Sequence, residues 1–222
     1  AAAILLSLLS KSQGLPLIAV FFVADWYYGR RLFSFKTILE KLPFIALAIA
    51  FLALNQWAHH PEEFVRTYPD TFADRIFAGS HNFIIYLAKA SFPTGLAAFY
   101  PYPDKTALMD SYWYYQIILA LLITGIILLR KNKTLVFGFL FFSLNIFPLL
   151  KIFAIPYGNY IIADRYMYVP IIGAGIIAAS LILALKGSRV LKVMGIVGFV
   201  IYFSWLGRES FVRNQSWQND IS

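Results

Sequence analysis

Two polar clusters interrupt the apolar sequence and hold side chains that are able to bind an anion. The first cluster is SKSQG at 10–14, and the second is ADRYMYVP at 163–170. An arginine guanidinium offers planar donors that fit a phosphate or a carboxylate, and a lysine ammonium offers a compact positive charge. These residue types predict contacts with an anionic headgroup, for example a lipid-linked phosphate. The candidate binding residues are Lys11, Gln13, Asp164, Arg165 and Tyr168.

Each cluster also has a purely structural interpretation, which the sequence leaves open. Gly14 and Pro16 favour a chain reversal, so the first cluster would be a hairpin turn whose lysine reaches along the membrane surface. In the second cluster, Asp164 would cap the start of a helix, where the helix dipole favours a negative charge, and Arg165 would form an interfacial ion pair. Pro170 fits the first turn of that helix.

The remaining polar segments give weaker signals for chemistry. His59 and His60 are adjacent and therefore point to different sides of the chain. Even with Glu62 and Glu63 nearby, their spacing matches no standard metal site, so a solvated loop is expected. The segment 86–103 ends in FYPYP, and its prolines and aromatic rings favour a loop on the membrane surface, either a lid over a lipid groove or a passive loop. We predict no metal and no cofactor, and no catalytic residue can be assigned.

The elements that carry these clusters are apolar enough for a lipid bilayer. Of the 222 residues, 60% are hydrophobic and only 14% are charged, against about 45–50% and about 25% in soluble domains. A mean hydropathy of +0.68 leaves more oily surface than a globule of this size can bury. The composition excludes an ordinary soluble enzyme, a disordered tail and a nucleic-acid-binding module. Because the chain has no cysteine, disulfides and thiolate chemistry are also excluded.

Apolar stretches that could cross about 30 Å of hydrocarbon recur along the chain. The segment 71–90 differs, because it mixes charged and apolar residues and so predicts an amphipathic helix lying in the interface. The expected fold class is all-α: a polytopic membrane bundle of about six to seven transmembrane helices with one interfacial helix. The predicted spans are 1–9 (truncated), 15–28, 42–57, 113–129, 135–150, 166–185 and 193–206.

The distribution of charge predicts which connections face the cytoplasm. Three short connections contain ten bases and one acid, whereas the other three contain eight bases and nine acids. The positive-inside rule places the short connections in the cytoplasm and leaves Lys11 and Arg165 on the external side. The positive balance of +8 is then explained by basic connections that face an anionic lipid leaflet. Asp25 is expected to pair with Arg30 and Arg31 near the cytoplasmic surface. The cytoplasmic connections are 29–41, 130–133 and 186–192, and the external ones are 58–112, 151–165 and 207–222.

The order of the motifs resembles that of a known family. SKSQG, a basic turn, an aromatic loop ending in FYPYP and then ADRYMYVP follow one another as in the membrane portion of the transmembrane-and-tetratricopeptide-repeat protein O-mannosyltransferases and their bacterial relatives. The final FVRNQSWQNDIS is similar to the sequence that leads into their repeats. Members typically have an acid after the lysine of the first motif, where this chain has Ser12.

The resemblance implies the polytopic helical fold of the class C glycosyltransferases. Such proteins take a sugar from a polyprenyl-phosphate donor and pass it to a protein on the external face; mannose is one candidate sugar. Their catalytic acids lie in an early external loop, so 1–206 is expected to be the C-terminal part of a larger membrane domain without those acids. The segment 207–222 is then an external tail leading to tetratricopeptide repeats. By the same resemblance, Lys11 and Arg165 would approach the donor phosphate and stabilise the leaving group's charge.

Three functions remain open at this point. The first is a membrane glycosyltransferase of a bacterial inner membrane or an endomembrane, whose partners are membrane lipids, the polyprenyl-phosphate sugar donor and a protein acceptor. The second is a non-catalytic membrane scaffold or an accessory subunit of a larger membrane complex. The third is a transporter or flippase, in which paired broken helices are expected, whereas the SKSQG break has no second copy. No nucleic-acid partner is expected.

Overall fold

The computed structural model describes residues 2–10, 14–58, 71–101, 105–153, 160–184 and 189–215. Within these ranges the predicted all-α class is confirmed, and the one β-type pairing described is an isolated bridge between Tyr100 and Ile162. The elements are α1 (Ala2–Ser10), α2 (Leu17–Tyr27), α3 (Phe35–Ala58), α4 (Phe72–Ser91), α5 (Lys105–Leu128), α6 (Lys133–Ile146), the 3-10 turns Phe147–Leu150 and Asp164–Tyr168, α7 (Pro170–Ala184) and α8 (Arg189–Gln215).

Two of the described helical stretches are long and apolar enough to cross a membrane. They are Phe35–Leu54 within α3, and Lys133–Leu150, which joins α6 to the first 3-10 turn. Shorter apolar helices cover Leu17–Tyr27, Trp113–Leu128 and Pro170–Ala184. Each of these helices overlaps a predicted span, and α7 begins at the proline expected in its first turn.

Two helices extend beyond the apolar stretches used to predict them. α3 begins at Phe35, inside the predicted basic connection 29–41, because the Ser34 hydroxyl accepts a hydrogen bond from the Thr37 backbone N–H at 3.2 Å and caps the helix there. α8 continues to Gln215, well into the predicted tail. Charged residues end a hydrophobic run, but they are good helix formers and do not end a helix.

An ion-pair network closes the turn between α2 and α3. The Asp25 carboxylate accepts a hydrogen bond from the Arg30 guanidinium at 2.8 Å and another from the Lys41 ammonium. The same guanidinium donates to Glu40 at 2.6 Å. The predicted pairing of Asp25 with Arg30 is therefore confirmed. The second base that pairs with Asp25 is Lys41 rather than Arg31. The early start of α3 brings Lys41 to the carboxylate. The Arg31 carbonyl oxygen accepts a hydrogen bond from a threonine hydroxyl.

α6 and α7 pack closely in antiparallel directions through two glycines. A Cβ atom built on Gly138 would lie 3.0 Å from the side chain of Ile177 and 2.9 Å from the carbonyl oxygen of Gly173. A Cβ atom on Gly173 would lie only 2.6 Å from the backbone nitrogen of Phe142. Small residues at these positions allow the backbones to approach, as in helix pairs packed within membranes.

The basic connections 29–41 and 130–133 lie at the end of the bundle where α6 begins. The Tyr27 hydroxyl, at the end of α2, is hydrogen-bonded to the Thr134 hydroxyl, in the first turn of α6, at 3.1 Å. Because α7 runs antiparallel to α6, its last residue, Ala184, lies at this end too. The second cluster of the sequence therefore lies at the opposite end of α6 and α7.

α4 forms the centre of the core at that opposite end, where it contacts α5, α7 and both 3-10 turns. A capping box between Thr71 and Asp74 begins the helix, and the Lys89 ammonium donates to the carbonyl oxygens of Thr94 and Gly95 at 3.3 and 3.2 Å. Charged residues that suggested an amphipathic interfacial helix thus also serve to cap and anchor it. The buried residues of α4 are Asp74, Ala78, Gly79, Ser80, Asn82, Phe83 and Tyr86.

Candidate functional site

Lys151 directly follows the apolar stretch formed by α6 and its 3-10 turn. Its backbone has a φ of 63°, in the left-handed region that residues other than glycine rarely adopt. This conformation ends the turn, and the ammonium lies 4.9 Å from the centre of the Tyr160 ring. Lys151 is 9% exposed, and burial lowers the pKa of its ammonium to about 8. Its positive charge is therefore lost as the pH rises just above neutrality.

Arg165 reaches the same ring from the second 3-10 turn. Its guanidinium carbon lies 5.3 Å from the centre of the Tyr160 ring and 5.2 Å from that of Tyr166, within range of cation–π attraction. The guanidinium also donates to the Tyr160 hydroxyl at 3.2 Å. The two tyrosine rings stack 6.2 Å apart, and their hydroxyls are hydrogen-bonded to each other. Burial raises the pKa of Tyr160 to about 12, so this hydroxyl remains neutral near physiological pH.

These four residues, Lys151, Tyr160, Arg165 and Tyr166, form what we call the cation–tyrosine cluster. One cation is nearly buried and the other is exposed to solvent, and both lie against one aromatic ring. Each cation lies about 5 Å from the centre of the Tyr160 ring, so an anion beside that ring would be attracted by both positive charges. Arginine is suited to bidentate bonds with a phosphate, whereas lysine acts as a point charge. The cluster can therefore bind an anion such as a phosphate group.

Asp164 anchors the loop before α5 rather than capping a helix. Its carboxylate accepts hydrogen bonds from the Ala97 backbone N–H at 2.6 Å and from the Tyr100 hydroxyl at 2.8 Å. Burial and the adjacent carboxylate raise the pKa of Tyr100 to about 12. Backbone bonds of 2.9 Å between Tyr100 and 161–162 fix the same loop. The structural interpretation of Asp164 as a helix cap is therefore wrong, because its carboxylate binds the loop, while the Arg165 guanidinium contacts the tyrosines.

Two further cations lie beside this loop. The Lys89 ammonium is 4.7 Å from the centre of the Tyr100 ring. Arg213, near the end of α8, lies close enough to Tyr100 for its charge to lower the pKa of that hydroxyl, against the larger effect of burial. Of the segment 86–103 predicted as a loop, residues 86–91 form the end of α4, and the described remainder, through residue 101, is fixed by polar contacts.

The other predicted site residues do not join the cluster. Tyr168 is 78% exposed and takes no part in the described contacts that hold the cation–tyrosine cluster together. Lys11 and Gln13 lie outside the described residues, so the structure does not test their predicted role in binding an anion. The same holds for the polar segment at 59–63. Among the residues that are described, no group of three histidine or acidic side chains is placed to hold a metal ion.

Of the four residues in the cation–tyrosine cluster, sequence reasoning named only Arg165 as a candidate binding residue. Lys151 was only one of eight bases in the external connections, and the single available signal was its position directly after an apolar span. Tyr160 was not singled out at all. Their pairing depends on a left-handed backbone turn and on the return of the chain to α4, neither of which leaves a local sequence pattern.

Comparisons with protein-family models, with curated proteins and with solved structures found no match to this chain.

Proposed function

We propose that the chain is the donor-binding part of a multi-pass membrane glycosyltransferase, in which the cation–tyrosine cluster binds the phosphate of a polyprenyl-phosphate sugar on the external face. The observation that carries the proposal is the convergence of Lys151 and Arg165 on one tyrosine ring at the end of the bundle away from the basic connections. The motif order, with its resemblance to the protein O-mannosyltransferases, supplies the donor class.

The exposed surface of the helices supports the membrane part of this proposal. Large aliphatic side chains are more than half exposed on four different helices, at Leu54, Leu121, Leu183 and Ile201. Water disfavours so wide an apolar surface, whereas hydrocarbon accommodates it. A multi-pass arrangement would cover these faces with lipid.

The length of α6 and the exposed aromatic residues support the same arrangement. α6 with its 3-10 turn spans 18 residues, roughly 30 Å, which matches the thickness of the hydrocarbon core. Exposed aromatic rings lie at both ends, with Tyr28 and Phe33 beside the basic turn and Trp113 and Tyr168 near the site. Such rings favour the two interfaces of a bilayer.

The left-handed lysine supports a role for the cluster in binding. A non-glycine residue in this backbone region costs free energy, and such residues persist at functional sites where the surrounding structure holds them. Here the left-handed backbone of Lys151 brings its nearly buried ammonium to 4.9 Å from the centre of the Tyr160 ring, which the exposed Arg165 also contacts. A phosphodiester carries its negative charge at every pH near neutrality, so its affinity should follow the charge on Lys151.

The test is binding of polyprenyl-phosphate mannose to the protein in phosphatidylcholine nanodiscs, measured between pH 7 and pH 9. The charged fraction of an ammonium with a pKa of about 8 falls about tenfold over this range. We therefore expect tight binding at pH 7 and an affinity up to about tenfold lower at pH 9. Tyr160, with a pKa of about 12, stays neutral throughout, and an arginine keeps its charge.

The Lys151→Arg variant is the control for this profile. Because arginine does not lose its proton in this range, the variant should bind with little dependence on pH. Nanodiscs with the same density of phosphatidylglycerol separate a specific site from general attraction to anionic lipid. If the protein binds these nanodiscs as tightly as those with the polyprenyl donor, the proposed function is wrong.

The proposed orientation is tested by single-cysteine labelling, which the absence of native cysteine makes clean. Lys131→Cys places a thiol in a basic connection, and Tyr168→Cys places one at the exposed residue near the site. In intact bacterial cells, a membrane-impermeant maleimide is expected to label position 168 and to spare position 131. Labelling of position 131 with protection of position 168 would reverse the orientation and contradict an external site.

A further inference from the structure

The cation–tyrosine cluster is carried by two irregular segments that meet only in the tertiary structure. One is the left-handed residue after the first 3-10 turn, and the other is the extended stretch 160–163 with the 3-10 turn that follows. Neither segment belongs to a long helix that would fix it. The relative position of Lys151 and Arg165 therefore depends on contacts that each segment makes with other elements.

Asn82 of α4 joins the two segments directly. Its side-chain amide donates to the carbonyl oxygen of Leu150 at 3.2 Å and to that of Ile161 at 3.4 Å. The first carbonyl belongs to the residue before Lys151, and the second to the residue after Tyr160. Asn82 has no exposed surface, so it cannot touch a ligand, and its amide oxygen faces the His81 ring at 3.1 Å.

Tyr86 lies one helical turn further along the same face of α4 and holds the arginine segment. Its hydroxyl accepts a hydrogen bond from the Ala163 backbone N–H at 3.0 Å and donates to the carbonyl oxygen of the same residue at 3.4 Å. Both residues are buried, with Tyr86 1% exposed and Ala163 fully buried. Arg165 follows two residues later.

We propose that Asn82 and Tyr86 are positioning residues that hold Lys151 and Arg165 at the separation required to bind one phosphate. This inference rests on the proposed function, because it assigns these residues to the same site. The two side chains are spaced four residues apart and therefore lie on one face of α4. Each fixes backbone groups through hydrogen bonds shielded from water, where an unmade bond is costly and the geometry is therefore strongly held.

The first test is Tyr86→Phe, which keeps the ring and removes the hydroxyl. Binding of polyprenyl-phosphate mannose in nanodiscs is expected to weaken about fivefold to tenfold, because the Ala163 N–H loses its partner and the arginine segment loses one of the buried bonds that fix it. In an Arg165→Ala background the same change should have no further effect on affinity. This non-additivity distinguishes a residue acting through Arg165 from one that only stabilises the fold.

Tyr27→Phe is the matched control, because it removes a tyrosine hydroxyl that is hydrogen-bonded at the other end of the bundle. It should leave affinity unchanged, even if it lowers the melting temperature as much as Tyr86→Phe. Asn82→Leu provides a second test, since it removes the amide at similar size. Its effect should be smaller in a Lys151→Ala background, where only the bond to the arginine segment still matters for binding.

The outcomes separate this inference from the proposed function. If Arg165→Ala binds the donor as well as the unmodified protein, the proposed function fails. If Arg165→Ala binds weakly but Tyr86→Phe retains full affinity, the positioning role fails and the function stands. The positioning role also fails if Tyr86→Phe lowers affinity equally in both backgrounds.

Discussion

Replacing Arg165 by alanine is expected to weaken binding of polyprenyl-phosphate mannose about tenfold to a hundredfold, the range expected when a hydrogen bond to a charged group is lost. Arg165 is exposed, and the atoms it contacts are the rings and hydroxyls of Tyr160 and Tyr166. Its guanidinium is therefore free to meet a ligand from solvent. The measurement is donor affinity in nanodiscs.

Expression and folding of Arg165→Ala should change little, because the side chain covers no part of the core. The Arg165→Lys variant is the matched control, since it keeps the charge and loses the planar donors. Its affinity should fall between those of the unmodified protein and the alanine variant. Donor affinity of Arg165→Ala equal to that of the unmodified protein would remove the phosphate-binding role.

Gly173→Ala is expected to lower the free energy of unfolding by about 1–3 kcal/mol, as overpacking of a closely packed core does. A Cβ atom at this position would lie 2.6 Å from the carbonyl oxygen of Gly138 and 2.6 Å from the backbone nitrogen of Phe142. Backbone atoms of α6 cannot move aside as a flexible side chain can, so α6 and α7 must separate. Unfolding in detergent micelles, followed by circular dichroism, measures the change.

The control for this prediction is Gly175→Ala, two residues along the same helix. No described atom lies within 4 Å of a Cβ atom built there. Alanine is the better helix former by about 1 kcal/mol, so this variant should be as stable as the unmodified protein or slightly more stable. Opposite signs for the two changes are the expected result. Equal stability of the two variants would show that α6 and α7 do not pack through Gly173.

The helices could largely be predicted from hydrophobicity, but their ends could not. The predicted spans overlap α2, α3, α5, α6 and α7, because an uninterrupted apolar run of this length favours a helix in lipid or in a core. The predicted span for α3 began after the true start of that helix, and the predicted span for α8 stopped before its true end. These ends depend on capping and on charged residues with good helix propensity, which a search for apolar runs treats as loops.

The candidate site could be predicted only in part. Arg165 was found because a charged residue at a break between apolar spans requires an explanation. The structural interpretation of Asp164 as a helix cap was wrong, because its carboxylate accepts from Tyr100, while the neighbouring Arg165 guanidinium donates to Tyr160. Lys151 carried no signal beyond its charge, because its place beside Tyr160 depends on the left-handed turn that precedes the loop.

The sequence by itself determined an all-α chain of apolar helices, the grouping of bases in three short connections and the presence of a charged cluster, ADRYMYVP, at a break between apolar stretches. These properties follow from composition and from the order of residue types along the chain, because they depend only on residues close together in sequence. The tertiary structure alone decided that Lys151 shares a ring with Arg165, and that Asn82 and Tyr86 hold the two segments together. Such contacts join residues far apart in sequence through buried backbone groups, and backbone groups are chemically the same at every position.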